Sequence, residues 1–317
     1  MKFLQRIKSA NEDTILKGMT YFMLVFFVIL ILGSFFSINE RLATEERNYQ
    51  QLIESTNAFN EQVKKNSQKE DDKEQVTEVL FNNGKDAVLK SYEKFLSCKT
   101  MKVVMSGKLA VSAVGGAYKL GVDIYATSEK YVDKTTQMVI TYEKPGSTRN
   151  GASYNTLVGD VVYSKSSKIV SKSGSNYVAN FNNSQEKEYT LSQFKKEKGI
   201  VPGKIFYVIN ASTIKSVTSY KILRNSQNGI TGYEVKIILD NSKSTVDYKV
   251  NLKGNMKPVG DITFTSIEAT VNIDSNGNLR YISVDENYHF QSTVFGSIST
   301  RTDVDSVLNI NILEQNY

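Results

Sequence analysis

The sequence predicts an α+β protein: an N-terminal transmembrane helix and helical stalk, then a large curved antiparallel β-sheet of about ten strands with short helices on one face. Three observations lead there. Residues 18–39 carry no charge over 22 positions. From residue 101 onward apolar side chains recur at every second position, the period of a half-buried strand. Just ahead of that change, residues 85–98 have helical spacing instead.

The uncharged run, GMTYFMLVFFVILILGSFFSIN, is long enough to cross a bilayer. At about 1.5 Å rise per residue it reaches roughly 33 Å, against roughly 30 Å of hydrocarbon. A cleavable signal has a shorter apolar region followed by a small-x-small site. Here Phe35 stands two positions before Ser37, and Leu32 two before Ser34, so neither fits, and no cysteine follows to accept a lipid. Lys2, Arg6, Lys8 and Lys17 precede the run, whereas Arg41 and Arg47 closely follow it. Basic residues stay on the cytoplasmic side. The expectation is a cytoplasmic tail at 1–17, a single-pass anchor at 18–39, and an extracytoplasmic remainder in the cell membrane.

Residues 40–74 read as a helical stalk and a charged linker. Leu42, Tyr49, Thr56 and Val63 recur every seven positions, with Leu52 and Phe59 beside them, while Glu45 and Thr56 interrupt the seam. A single helix along the membrane-proximal surface is preferred over a coiled coil, so the stalk predicts weak dimerisation at most. KKNSQKEDDKEQ mixes charges with almost nothing to bury and reads as solvated linker.

The extracytoplasmic domain is expected over 75–317. It opens with an amphipathic helix whose stripe is Val88, Leu89, Tyr92, Phe95 and Leu96, ending at Cys98. Met101, Val103, Met105, Leu109 and Val111 then alternate with Lys102, Ser106, Lys108 and Ser112. Gly115-Gly116 turns the chain, and Leu120, Val122 and Ile124 return. Further strands are expected around QMVITYE, GDVVYSK and NYVANF, with Pro145-Gly146 and Ser173-Gly174 as turns. Pro202 is read as opening a short helix through Ile205, Phe206 and Ile209. Tyr233, Val235, Ile237 and Leu239 form another strand, as do Val246, Tyr248, Val250 and Leu252. The last three strands are DITFTSIEATVNID, NLRYISVDENYHFQS and ISTRTDVDSVLNINIL. The helix-then-strands order occurs at 85–181 and again at 190–315, which leaves two smaller domains open.

Composition narrows the function classes. The chain has 317 residues, a formal charge of +6, one cysteine and one histidine. No intrachain disulfide can form, and Cys98 reads as a small buried apolar residue. Four basic and two acidic groups put +2 on residues 1–17, leaving a weak +4 on everything else. No basic stripe with interleaved aromatics tracks a phosphate backbone, so no nucleic acid partner is expected. His289 lies on the polar side of its strand without a second histidine or cysteine cluster, so a zinc or haem site lacks ligands. DSNGNLRYISVD lacks the glycine and glutamate of a calcium loop and reads as a hairpin turn at Asn276-Gly277. GIVPGKIF has the wrong spacing for a phosphate loop, and no G-x-S-x-G is present. Neither a cofactor nor an enzymatic activity is expected.

The order of parts resembles the bacterial lipoprotein-carrier superfamily, the LolA and LppX/LprG-like half-barrels. The likeness lies in DAVLKSYEKFLSCKTMKVVMSGKLAV, in LVGDVVYSK and in VNIDSNGNLRYISV, and spans roughly 75–317. It implies an antiparallel sheet curled around helices with acyl chains held between them. A membrane span in place of a lipidated cysteine departs from that pattern and speaks against a shuttle. The strands themselves point the same way: two short helices at 85–98 and 202–210 are small for so many strands, and an apolar groove left uncovered is a default ligand site. Val103, Met105, Leu109, Val122, Ile124, Tyr233, Val235 and Ile237 are the candidate lining, and the same residues would serve as plain core. The expectation is thus a tethered binder of lipid or another hydrophobic molecule, or, alternatively, a bitopic scaffold for envelope protein partners in a secretion, conjugation or wall-assembly machine.

Overall fold

A computed structural model describes residues 78–174, 176–294 and 298–317. The tail, anchor and stalk expected over 1–74 lie outside the described residues. Among the described residues no helix is long and apolar enough to cross a membrane.

Helix α1 (Gly84–Leu96) starts where Asn83 accepts a hydrogen bond from the Asp86 N–H, satisfying a first-turn donor. It buries Ala87, Val88, Ser91, Tyr92 and Phe95, while Leu96 remains 40 % exposed. The buried stripe is therefore rotated toward the small residues. Close approach explains this, because a Cβ on Gly84 would meet Val217 at 2.9 Å and Val235 at 3.0 Å.

Eleven strands follow in one antiparallel sheet: β1 (Thr100–Ala113), β2 (Tyr118–Lys130), β3 (Lys134–Tyr142), β4 (Gly151–Val158), β5 (Val161–Ser167), β8 (Lys187–Thr190), β9 (Ile214–Arg224), β10 (Ile230–Leu239), β11 (Val259–Asp274), β12 (Leu279–Val294) and β13 (Ile298–Asn316). Their order is 8-5-4-3-2-1-13-12-11-10-9. Two meanders thus run outward from a central β1–β13 pair, which matches Thr100 with Asn316 at one end and Ala113 with Thr302 at the other. The alternating pattern predicts the antiparallel pairing of strands joined by short turns, though not the pairing of β1 with β13. A separate hairpin, β6 (Val170–Ser173) and β7 (Asn176–Ala179), is tied to β2 where Lys172 and the Tyr177 hydroxyl both donate to Asp123.

The inner face of the sheet carries one large core, from Phe81 and α1 through Val235, Ile267 and Val284 to Leu308 and Ile310. Helix α3 (Val246–Met256) adds Tyr248 and Leu252 to this core, while helix α2 (Leu191–Lys198) packs Phe194 with Val162 and Ile200 in a separate, smaller cluster.

The structure corrects two readings of the sequence. Val246–Leu252 is helix and not strand: alternation at 246, 248, 250 and 252 also contains an i, i+4 pair, and only Tyr248 and Leu252 are buried while Val246 is 58 % exposed. Residues 200–213 contain no helix; the helix lies just ahead of them. Its signal is a capping box, in which Thr190 accepts from the Gln193 N–H and the Gln193 side chain accepts from the Thr190 N–H. Four strands beyond those expected, β4, β6, β8 and β9, bring the total among the described residues to thirteen.

Candidate functional site

The irregular segment 200–213 crosses the inner face and forms a cover loop. Gly199 ends α2 in the left-handed region, at φ +65°, and a Cβ there would stand 2.2 Å from the Asp247 carbonyl oxygen. Only glycine fits that junction of α2 with α3. Four residues on, Gly203 (φ +85°) presses against the sheet, with Thr135 and Met101 nearest to where a Cβ would be. The chain then rises over the central strands.

Between this loop and the sheet lies a cleft with room for about 30 Å³, lined by Val103, Met105, Ala126 and Ile310 below and Ile205 and Phe206 above. Register explains the floor: Met105 pairs with Ile310 on one side and Ala126 on the other, so three inward side chains form a row. The rim includes Ser128, Gln137 and Lys204. Gln137 is only 5 % exposed, and its Oε1 has no hydrogen-bond partner among the described residues. Lys204 is exposed.

The loop is fastened by a buried carboxylate. Glu286 on β12 is fully buried, and the hydroxyls of Tyr207 from the loop and Tyr248 from α3 both donate to it, the latter at 3.0 Å. Ser306 of β13 faces it across the strands. Burial pushes the Glu286 carboxyl up to about 7 even though the two tyrosine hydrogen bonds pull it down. Burial likewise raises both phenols well above their usual range. Phe206 stacks on Tyr248 at 5.3 Å, and Tyr248 meets Phe264, which meets Tyr288 at 4.8 Å. An aromatic chain therefore connects loop, α3, β11 and β12.

Of the lining expected from sequence, Val103 and Met105 line this cleft. Leu109, Ile124, Tyr233, Val235 and Ile237 are buried in the large core, and Val122 is partly buried against it. Tyr233, Val235 and Ile237 pack on the side of the sheet covered by α1, where Phe81 meets Tyr233 edge-on at 4.9 Å. The sequence reading missed Glu286, although it breaks the inward series Ile282, Val284, Tyr288, Phe290. It also missed Gln137 and the tyrosines, whose meeting depends on a loop with no periodicity.

Among the described residues no group of three or more His, Cys, Asp or Glu could hold a metal ion. A second groove of about 500 Å³ lies at the β5–β8 edge, bordered by Ser164, Ser166, Lys168, Ile169, Lys187, Tyr189 and Lys198.

No protein-family model matches the chain. No curated protein matches it either. Solved structures similar to it include a putative outer membrane lipoprotein-sorting protein domain from Vibrio parahaemolyticus, at 9 % identity and TM-score 0.24, and a DUF1329 family protein from Desulfovibrio piger ATCC 29098, at 9 % identity and TM-score 0.22. Each match covers 74 % of this chain and 91 % of the other. At these scores they carry no argument about fold or function.

Proposed function

We propose that the chain is a membrane-anchored extracytoplasmic protein that binds a lipid or another hydrophobic molecule beneath the cover loop and catalyses no reaction. One observation carries this reading: the seam between loop and sheet is walled by six apolar side chains, Val103, Met105, Ala126, Ile205, Phe206 and Ile310. Apolar walls with a few polar groups at one end are the usual composition of a ligand pocket. At about 30 Å³ the cleft is small. Pockets for drug-sized ligands occupy roughly 300–1,000 Å³, so an acyl chain enters only if the loop lifts. The loop suits that movement. It lacks regular secondary structure over 200–213, so lifting it breaks no strand or helix; its hold is the packing of Ile205, Phe206, Tyr207 and Ile209 on the core, the Tyr207 hydroxyl on Glu286 and the Val208 N–H on the Ser244 carbonyl.

Anchoring rests on the uncharged run 18–39 and the basic residues before it. A tether keeps the binder at one membrane, fitting it for extraction or presentation of a membrane component.

Mass spectrometry of the protein purified from its native membrane tests the binding, and protease added to intact cells tests the orientation. Near-equimolar lipid and a degraded C-terminal domain are expected. Stable protein partners with no lipid would favour the scaffold, and a protected domain would overturn the location.

A further inference from the structure

Building on the hydrophobic-ligand reading, we infer that the ligand is an amphiphile whose headgroup combines a negative charge with free hydroxyls, of the phosphoglycerol type. The polar end of the cleft carries the inference. Gln137 is buried there with its Oε1 unpartnered among the described residues, and leaving a buried amide oxygen unpaired is costly. A hydroxyl, which both donates and accepts, satisfies that amide whichever end it presents. Lys204 lines the same cleft and makes no ion pair among the described residues. A cation beside an unsatisfied amide calls for an anion bearing hydroxyls.

The sheet extends this polar end in register. Ser128 faces Gln137, Gln137 faces Asn155, and Asn155 faces Ser164, so four adjacent strands contribute one cross-strand row of buried polar side chains. The last pair is hydrogen-bonded, the Ser164 hydroxyl donating to Asn155 Oδ1 at 2.7 Å, and Gln137 is the member left open. Beyond Ser164 lies the second groove, whose border includes Lys168 and Lys187, together with Lys198, which pairs with Glu197. Apolar walls lead into the cleft, and a surface bearing these lysines leads away from it. A zwitterionic choline headgroup would bring a second cation toward Lys204 and no hydroxyl to Gln137.

The test uses the full-length protein in vesicles containing phosphatidylglycerol or phosphatidylcholine with the same diazirine-bearing acyl chain, with adducts mapped by peptide. Adducts on the peptides holding Met105, Ala126, Phe206 and Ile310 should form about threefold more with phosphatidylglycerol, the size of effect one exposed ion pair provides. Lys204→Gln should bring the two lipids to near parity, and Gln137→Leu should reduce the phosphatidylglycerol excess. Equal yields in the unaltered protein would overturn the headgroup inference and leave hydrophobic binding standing. No cleft adduct with either lipid would overturn hydrophobic binding itself. Loss of the phosphatidylglycerol excess on adding millimolar glycerol 3-phosphate would mean that the site takes the free headgroup and not the lipid.

Discussion

The Tyr207 hydroxyl donates to the Glu286 carboxylate inside the protein, joining a loop without regular structure to strand β12, which lies next to β13 in the sheet. Tyr248 supplies a second hydroxyl to the same group, so one carboxyl holds two covering elements against the sheet. Removing either partner leaves a buried charge short of hydrogen bonds, and this makes the contact a place where cover and sheet can be separated experimentally.

Stability should depend on pH through Glu286. Its native carboxyl titrates at about 7, against an ordinary value of 4.5. Between those values the folded state holds a proton that the unfolded state has released, so stability falls as pH rises and levels off above about 7. The ceiling is about 3 kcal/mol. Urea midpoints measured from pH 4 to 8 should show this component in the unaltered protein and lose it in Glu286→Gln; identical slopes would refute the assignment.

Tyr248→Phe should destabilise the fold by about 1–3 kcal/mol, since it removes a hydrogen bond to a buried carboxyl and keeps the stacking ring. Tyr207→Phe should cost a similar amount. The double variant should be less than additive in urea titrations, because both hydroxyls serve one group.

Gly199→Ala should cost about 2–3 kcal/mol, since it combines a left-handed backbone with a Cβ driven into the Asp247 carbonyl. Gly146 shares the positive φ but has open space around it, so Gly146→Ala should cost only about 1 kcal/mol. Thermal melts of the pair separate steric clash from backbone strain, and equal losses would mean that the α2–α3 junction gives way.

Phe206→Ala should widen the cleft while leaving Glu286 and its two tyrosines in place. Binding of a neutral environment-sensitive dye should rise about tenfold in affinity, as expected for about 1.4 kcal/mol less displacement work. An unchanged affinity would argue against ligand entry beneath this loop.

Cys98 is completely buried and should resist thiol reagents in the folded protein. Labelling should then follow unfolding, giving the same midpoint in urea as circular dichroism. Rapid labelling in buffer alone would refute its place in the core.

The sheet was legible in the sequence wherever burial is one-sided, because alternation at Met101–Val111, Tyr233–Leu239 and Ile282–Phe290 follows directly from the pleat. The hairpin at Asn276-Gly277 was legible for the same local reason: Gly277 has positive φ and its N–H donates to the Asp274 carbonyl. Alternation failed at Val246–Leu252, where one chain pattern suits both strand and helix, and tertiary burial of Tyr248 and Leu252 selected the helix. The uncharged run likewise predicts an anchor from length alone. The central β1–β13 pairing, the closing of the cover loop and the meeting of Glu286 with Tyr207 and Tyr248 were decided only in three dimensions. They join residues 38 to 216 positions apart, and no local periodicity encodes which distant groups will share one desolvated space.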